Sequence, residues 1–101
     1  METTLNMIEK LEALRALVEK EYNERISKQY PNLRPEIISI KPGNKYIKID
    51  VGGSGKYMIE VSTENIYGIK GDGQIHRGHY YGNLETIDQY YWGGYTAFKK
   101  N

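Results

Sequence analysis

Hydrophobic positions repeat with two different periods along this chain, and the change of period divides it. Over residues 3–29 the apolar side chains Met7, Leu11, Leu14, Val18, Tyr22 and Ile26 recur in steps of three or four, and Leu5, Ile8 and Leu17 widen the stripe. That spacing is the helical repeat of about 3.6 residues, and its width suits packing on a core. Thr3 or Thr4 can cap the start by accepting from open backbone amides. Glu21 with Arg25 and Glu24 with Lys28 are acid-before-base pairs at i,i+4, each worth about 0.3 kcal/mol on an exposed face. Pro31 ends the helix, because its ring pushes Tyr30 out of the α region. Met7, Leu11, Leu14 and Val18 also obey heptad steps over fewer than two heptads, so a homodimer through this helix stands as the alternative to a monomer.

From residue 36 the period becomes two. Ile38 and Ile40 alternate with Ser39 and Lys41, Ile47, Ile49 and Val51 with Tyr46, Lys48 and Asp50, and Tyr57, Ile59 and Val61 with Met58 and Glu60. One apolar and one wet face per strand describe an antiparallel sheet covered on one side. Pro42-Gly43 suits the centre of a type II turn, Gly52-Gly53-Ser54-Gly55 a second hairpin, and Ser62 to Asn65 a third turn before Ile66-Tyr67-Gly68-Ile69. The expected fold is therefore a single α+β domain over residues 1–101. One long N-terminal helix (3–29) packs on a three- to four-stranded antiparallel meander (36–70). A Tyr/Gly-rich C-terminal region (71–101) follows, with a short helix Leu84 to Gln89 capped by Asn83 and a last short strand Tyr95 to Phe98.

Composition narrows the chemistry. The chain has no cysteine, so no thiolate nucleophile or thiolate metal ligand is available. Fourteen basic against 13 acidic side chains give a formal net charge of +1, too little for a strong pull of the whole molecule on DNA or anionic membranes. The N-terminus lacks the basic and apolar regions of a signal peptide, and the longest apolar run, Ala16-Leu17-Val18, is far short of the ~20 residues that span a bilayer. No membrane association is expected. The unusual count is aromatic: 10 Tyr against 1 Phe and 1 Trp. Six of those tyrosines, together with Trp92 and both histidines, fall within residues 67–95. The expected core is accordingly aliphatic, with the tyrosines forming a functional surface.

Motifs with fixed chemistry do not fit. Asp50 to Tyr57 resembles a phosphate-binding loop, but Asp50 replaces the first glycine and Tyr57 the hydroxyl residue after the lysine, and no helix follows. Gly71-Asp72-Gly73-Gln74-Ile75-His76 starts as a dinucleotide fingerprint and lacks its third glycine. His76 and His79 have no third ligand at a recognised metal spacing, so no metal and no cofactor is expected. As general acid and base the pair would serve a small nuclease, assisted by Tyr80 or Arg77. The segment 76–81 mixes cationic groups with rings, which suits a phosphate-bearing ligand with a flat base. Lys41, Lys45, Lys48 and Lys56 add positive potential if they share the outer sheet face. The same composition also suits a protein-contact surface, with Tyr, Trp and Arg as anchors. The candidate binding residues are His76, Arg77, His79, Tyr80, Tyr81, Tyr90, Tyr91 and Trp92.

Residues 66–88, with the run Gly68-Ile69-Lys70-Gly71-Asp72-Gly73, resemble the C-terminal half of small uncharacterised proteins encoded by tailed bacteriophages and environmental viral genomes. In those, an aromatic residue stands where this chain has Asp72. The resemblance covers about residues 35–97. It implies a viral origin and a host-cell cytoplasmic setting, and it transfers no functional residue. The leading expectation is a non-enzymatic phage-type binding protein acting on a host or viral protein, for example as an inhibitor of host defence. The alternatives are nucleic-acid or nucleotide-signal binding through 76–81, and a small nuclease.

Overall fold

The computed structural model describes residues 3–70, 73–94 and 97–100, with side chains from residue 7 onward. Helix α1 runs Thr3–Gln29, as the periodicity requires, and the chain leaves it at Tyr30-Pro31. The expected caps Thr3 and Thr4, and Leu5, lie outside the described side chains. Leu11, Leu14 and Val18 are buried, with Met7 and Leu17 packed beside them, while Ile8 is exposed, so the working stripe is narrower than expected. Glu21 and Arg25 do not pair with each other. Both instead hold the backbone at residues 92–93: the Trp92 amide donates to Glu21 Oε1 at 2.7 Å, and Arg25 Nε donates to the Gly93 carbonyl.

The sheet has five strands, β1 (Ile38–Lys41), β2 (Tyr46–Val51), β3 (Ser54–Glu60), β4 (Asn65–Ile69) and β5 (Ile75–Asn83), in simple meander order. Two short strands, β6 (Tyr90–Tyr91) and β7 (Phe98–Lys99), form a separate antiparallel ribbon. The α+β reading holds, with one strand more than expected in the main sheet. That strand, β5, lies inside the region set aside as irregular, because glycines and a bulge break its alternation. The expected helix at 84–89 shrinks to a 3-10 turn, Ile87–Gln89. Asn83 still organises its entry, its side chain accepting from the Glu85 amide at 2.8 Å and its carbonyl from the Thr86 amide at 3.0 Å. Tyr95, where the last strand was expected to begin, lies outside the described residues.

Two turns show what their glycines do. Gly52 has φ +66° at the tip of the two-residue β2–β3 hairpin, which confirms a hairpin and not a phosphate loop. Gly43 has no positive φ, so the Pro42-Gly43 type II turn does not form. A Cβ at Gly43 would instead overlap the Tyr46 carbonyl, and close backbone approach is the reason for glycine there.

Inward-facing residues follow the register. Ile38 pairs with Val51, Ile40 with Ile49, Ile47 with Ile59, and Ile59 with Ile66. This aliphatic layer meets Leu11, Leu14 and Val18. The core is not aliphatic throughout, however. Tyr57, Tyr81 and Trp92 are buried and meet edge to face, with ring centroids 5.2–6.3 Å apart. Such pairs add about 0.5–1.5 kcal/mol each beyond area burial. Part of the tyrosine excess is thus structural.

Candidate functional site

Strand β5 decides where the expected site residues go. Its pairing with β4 runs Ile69–Ile75, Gly68–His76, then Tyr67–Tyr80, leaving residues 77–79 bulged out of register. On a regular strand, residues four apart share a face. Here the bulge reverses the parity, so His76 lies on the helix side and Tyr80 on the outer side. A second shift before Asn83 is accommodated by Gly82 at φ +75°, where a Cβ would come within 2.9 Å of the Tyr90 ring. Bulges of this kind re-aim side chains and are frequent beside binding sites. The segment 76–81 is therefore not one surface.

On the outer face, the paired residues Lys41–Lys48, Lys48–Met58, Met58–Tyr67 and Tyr67–Tyr80 form one continuous row across all five strands. Arg77 reaches back over this face. Its Nη2 donates to Glu60 Oε2 at 3.2 Å and to the Tyr46 hydroxyl at 3.1 Å, and its guanidinium lies 5.2 Å from the Tyr67 ring centroid. Tyr80 is 51% exposed and tilts against Tyr67 at 5.7 Å. The hydrogen bond from Arg77, followed by that from Thr63, holds the Glu60 carboxyl below the ordinary glutamate range, and Glu60 raises Arg77 in return. Lys41 approaches Asp50 at 3.6 Å, and Lys45 lies 5.9 Å from the Tyr46 ring.

The helix side carries a different set. His76 and His79 stack with centroids 4.0 Å apart and planes within 11°. The His79 ring and the Tyr81 hydroxyl sit over Gly68, where a Cβ would come within 3.1 Å of His79 Cβ and 3.4 Å of Tyr81 Oη. They border a cleft of about 690 Å³ that Tyr22, Lys56 and Tyr57 also line. Lys56 does not share the outer face with Lys41 and Lys48, so the condition for a four-lysine surface is not met. A bulge in the β2–β3 register, from Ile49–Tyr57 to Asp50–Gly55, skips Lys56 in the cross-strand pairing. Its ammonium lies 5.7 Å from the Tyr22 ring and 5.5 Å from Tyr57. Burial lowers the Lys56 pKa, and the nearby Arg25 charge adds to this. Burial likewise raises the phenol of Tyr81.

Three expected site residues belong to the packing. Trp92 is completely buried, and its indole N–H donates to the Ile87 carbonyl at 2.9 Å. Tyr90 packs on Trp92 at 5.7 Å, and Tyr91 packs on Phe98 across the ribbon. Tyr81 is also buried, though its hydroxyl borders the cleft. The residues that sequence reasoning missed are Tyr46, Glu60, Tyr67 and Gly68. The alternation puts Tyr46 and Glu60 on the wet face, but only the β5 bulge shows that Arg77 joins them.

Among the described residues no group of three or more His, Asp or Glu side chains is placed to hold a metal ion. No helix among the described residues is long and apolar enough to cross a membrane. The chain matches no protein-family model, no curated protein and no solved structure.

Proposed function

We propose that this chain is a non-enzymatic binding protein that holds single-stranded nucleic acid across the outer face of its sheet. The observation that carries the reading is the row Lys41, Lys48, Met58, Tyr67 and Tyr80, with Arg77 laid over Tyr67. With strands about 4.8 Å apart, that row spans about 19 Å. Cations stand at one end of it and the exposed Tyr80 ring at the other; Met58 and Tyr67 between them are buried, with Arg77 and Tyr80 laid over Tyr67, so Tyr80 and the Arg77 guanidinium are the stacking faces. Bases stack on tyrosine faces and on planar guanidinium groups, and ammonium groups follow the phosphates. Each lysine has three donors and arginine five, so the contacts to Asp50 and Glu60 leave donors for a ligand.

The test is fluorescence anisotropy with a labelled oligothymidylate. Three phosphate contacts give a log–log salt slope of about −2, because each contact contributes about −0.7 on single strands. Tyr80→Ala removes a stacking platform worth about 1–3 kcal/mol. Arg77→Ala weakens binding and flattens the slope. Binding that ignores both salt and Tyr80 overturns the reading.

A second reading, a protein partner such as a component of host defence, draws on one separate observation. Tyr30, Leu33 and Ile37, in the connection between α1 and β1, are 56%, 59% and 74% exposed. Large exposed apolar residues close in sequence suit a protein contact. Capture of a protein from a bacterial lysate that is lost on replacing Leu33 and Ile37 by Asp, with nucleic-acid binding absent, would favour this reading.

A further inference from the structure

The geometry points to a second binding site, on the opposite face of the sheet: the cleft bordered by Lys56, His76, His79 and Tyr81 takes a small organic phosphate monoester. Two separate bulges build it. One, in the β2–β3 register, places Lys56 on the helix side, and the other, in β5, brings His79 over Gly68. A regular sheet would aim neither residue there. Bulges are over-represented beside binding sites, and here two in different strand pairs converge on one cleft.

The chemistry of the lining selects the ligand. Lys56 supplies a compact ammonium, the imidazoles supply N–H donors, and Tyr81 supplies a hydroxyl. Among the described residues the one carboxylate lining the cleft is Glu36, whose backbone is tied to Asn23 by hydrogen bonds of 2.8 and 3.1 Å. Arg25 adds positive potential near Lys56. His76 Nδ1 is buried without a hydrogen-bond partner among the described residues. This assembly of donors fits a tetrahedral dianion better than a cation or a neutral group. The remaining walls, Val51, Ile69 and the Tyr22 ring, are largely apolar and suit the organic part. The volume, about 690 Å³, lies in the ordinary range for small-molecule sites of about 300–1,000 Å³.

The experiment is an NMR titration of the histidine ring C–H signals of the full chain, first with inorganic phosphate and then with adenosine monophosphate. Chloride at matched ionic strength is the control. The expected result is a saturable shift of both histidines with a dissociation constant of about 1 mM or tighter. The monophosphate should bind more tightly than phosphate alone, because it adds contact with the apolar walls. Lys56→Gln and, independently, His79→Gln should each weaken binding about tenfold, the loss of one charge-assisted hydrogen bond. His79 is exposed, so its replacement tests the site even if Lys56→Gln fails to fold. Three results would overturn the proposal: no shift beyond the chloride control, binding indifferent to both Lys56→Gln and His79→Gln in folded protein, or displacement of phosphate by an oligonucleotide. The last would mean that the cleft belongs to the nucleic-acid site.

Discussion

Trp92 is the residue on which sequence and structure disagree most, and replacing it by phenylalanine separates the two. On an exposed binding surface, Trp92→Phe would cost little stability and much affinity. In the core it must do the reverse. The indole N–H meets the Ile87 carbonyl at 2.9 Å, and phenylalanine leaves that acceptor without its donor, at about 1–3 kcal/mol. The smaller ring also leaves a void beside Tyr57 and Tyr81, at about 1 kcal/mol for a methyl-sized cavity. The Trp92 amide and carbonyl keep their bonds to Glu21 and Tyr57, because phenylalanine does not alter the backbone. The expected cost is therefore about 3 kcal/mol, against a total of about 5–15 kcal/mol for a chain of this length.

Urea unfolding followed by circular dichroism reads this directly. At a slope of about 1.5 kcal/mol per molar, the midpoint should fall by about 2 M. Trp92 is the single tryptophan of the chain, so its fluorescence gives a parallel check on the parent protein. Its emission should be shifted to the blue and resist acrylamide until the chain unfolds. A loss below about 0.5 kcal/mol, the range of neutral surface substitutions, together with lost ligand binding, would refute the placement of Trp92 in the core.

Other outcomes follow from the same contacts. Gly68→Ala pushes a methyl group against His79 and the Tyr81 hydroxyl; it should cost about 1–3 kcal/mol, as overpacking does, and shift the His79 ring signals. The Glu60 carboxyl should titrate below the ordinary value near 4.5 by carboxyl-carbon NMR, and Arg77→Ala should move it back up. Because the folded value is depressed, the pair stabilises the fold above that ordinary value, and the contribution disappears as pH falls through the depressed one. Burial, with Tyr81 second, raises the Tyr57 phenol, so Tyr57 should stay protonated when exposed tyrosines ionise near pH 10. Unfolded Tyr57 ionises there and folded Tyr57 does not, so stability should fall as pH rises above 10 until the fold opens, seen as delayed absorbance at 295 nm. Glu21→Ala and Arg25→Ala each release the 92–93 backbone, and amide exchange at Trp92 and Gly93 should speed up in both.

Regular periodicity is a local property, and wherever it ruled this chain it could be read. Helix α1 and strands β1 to β4 carry their period in their own residues, so their existence and their inward faces were legible. What was not legible depends on irregularity. A bulge adds residues without changing composition, and nothing in His76-Arg77-Gly78-His79-Tyr80 marks where pairing to β4 slips. Yet that slip sends His76 and His79 to one face and Arg77 and Tyr80 to the other. Lys56 escapes the alternation for the same reason, since one extra residue opposite Ile49 and Asp50 turns it toward the helix. The glycine-rich stretch around Trp92 had a packing cause that only the fold reveals. A Cβ at Gly93 would overlap the Glu21 carbonyl, so glycine there lets the C-terminal segment lie directly on helix backbone. Density of tyrosine and glycine thus signalled close packing at one end of the region and a bulged, largely exposed strand segment at the other. The two are separated by which residues a bulge turns outward, and composition does not encode that choice.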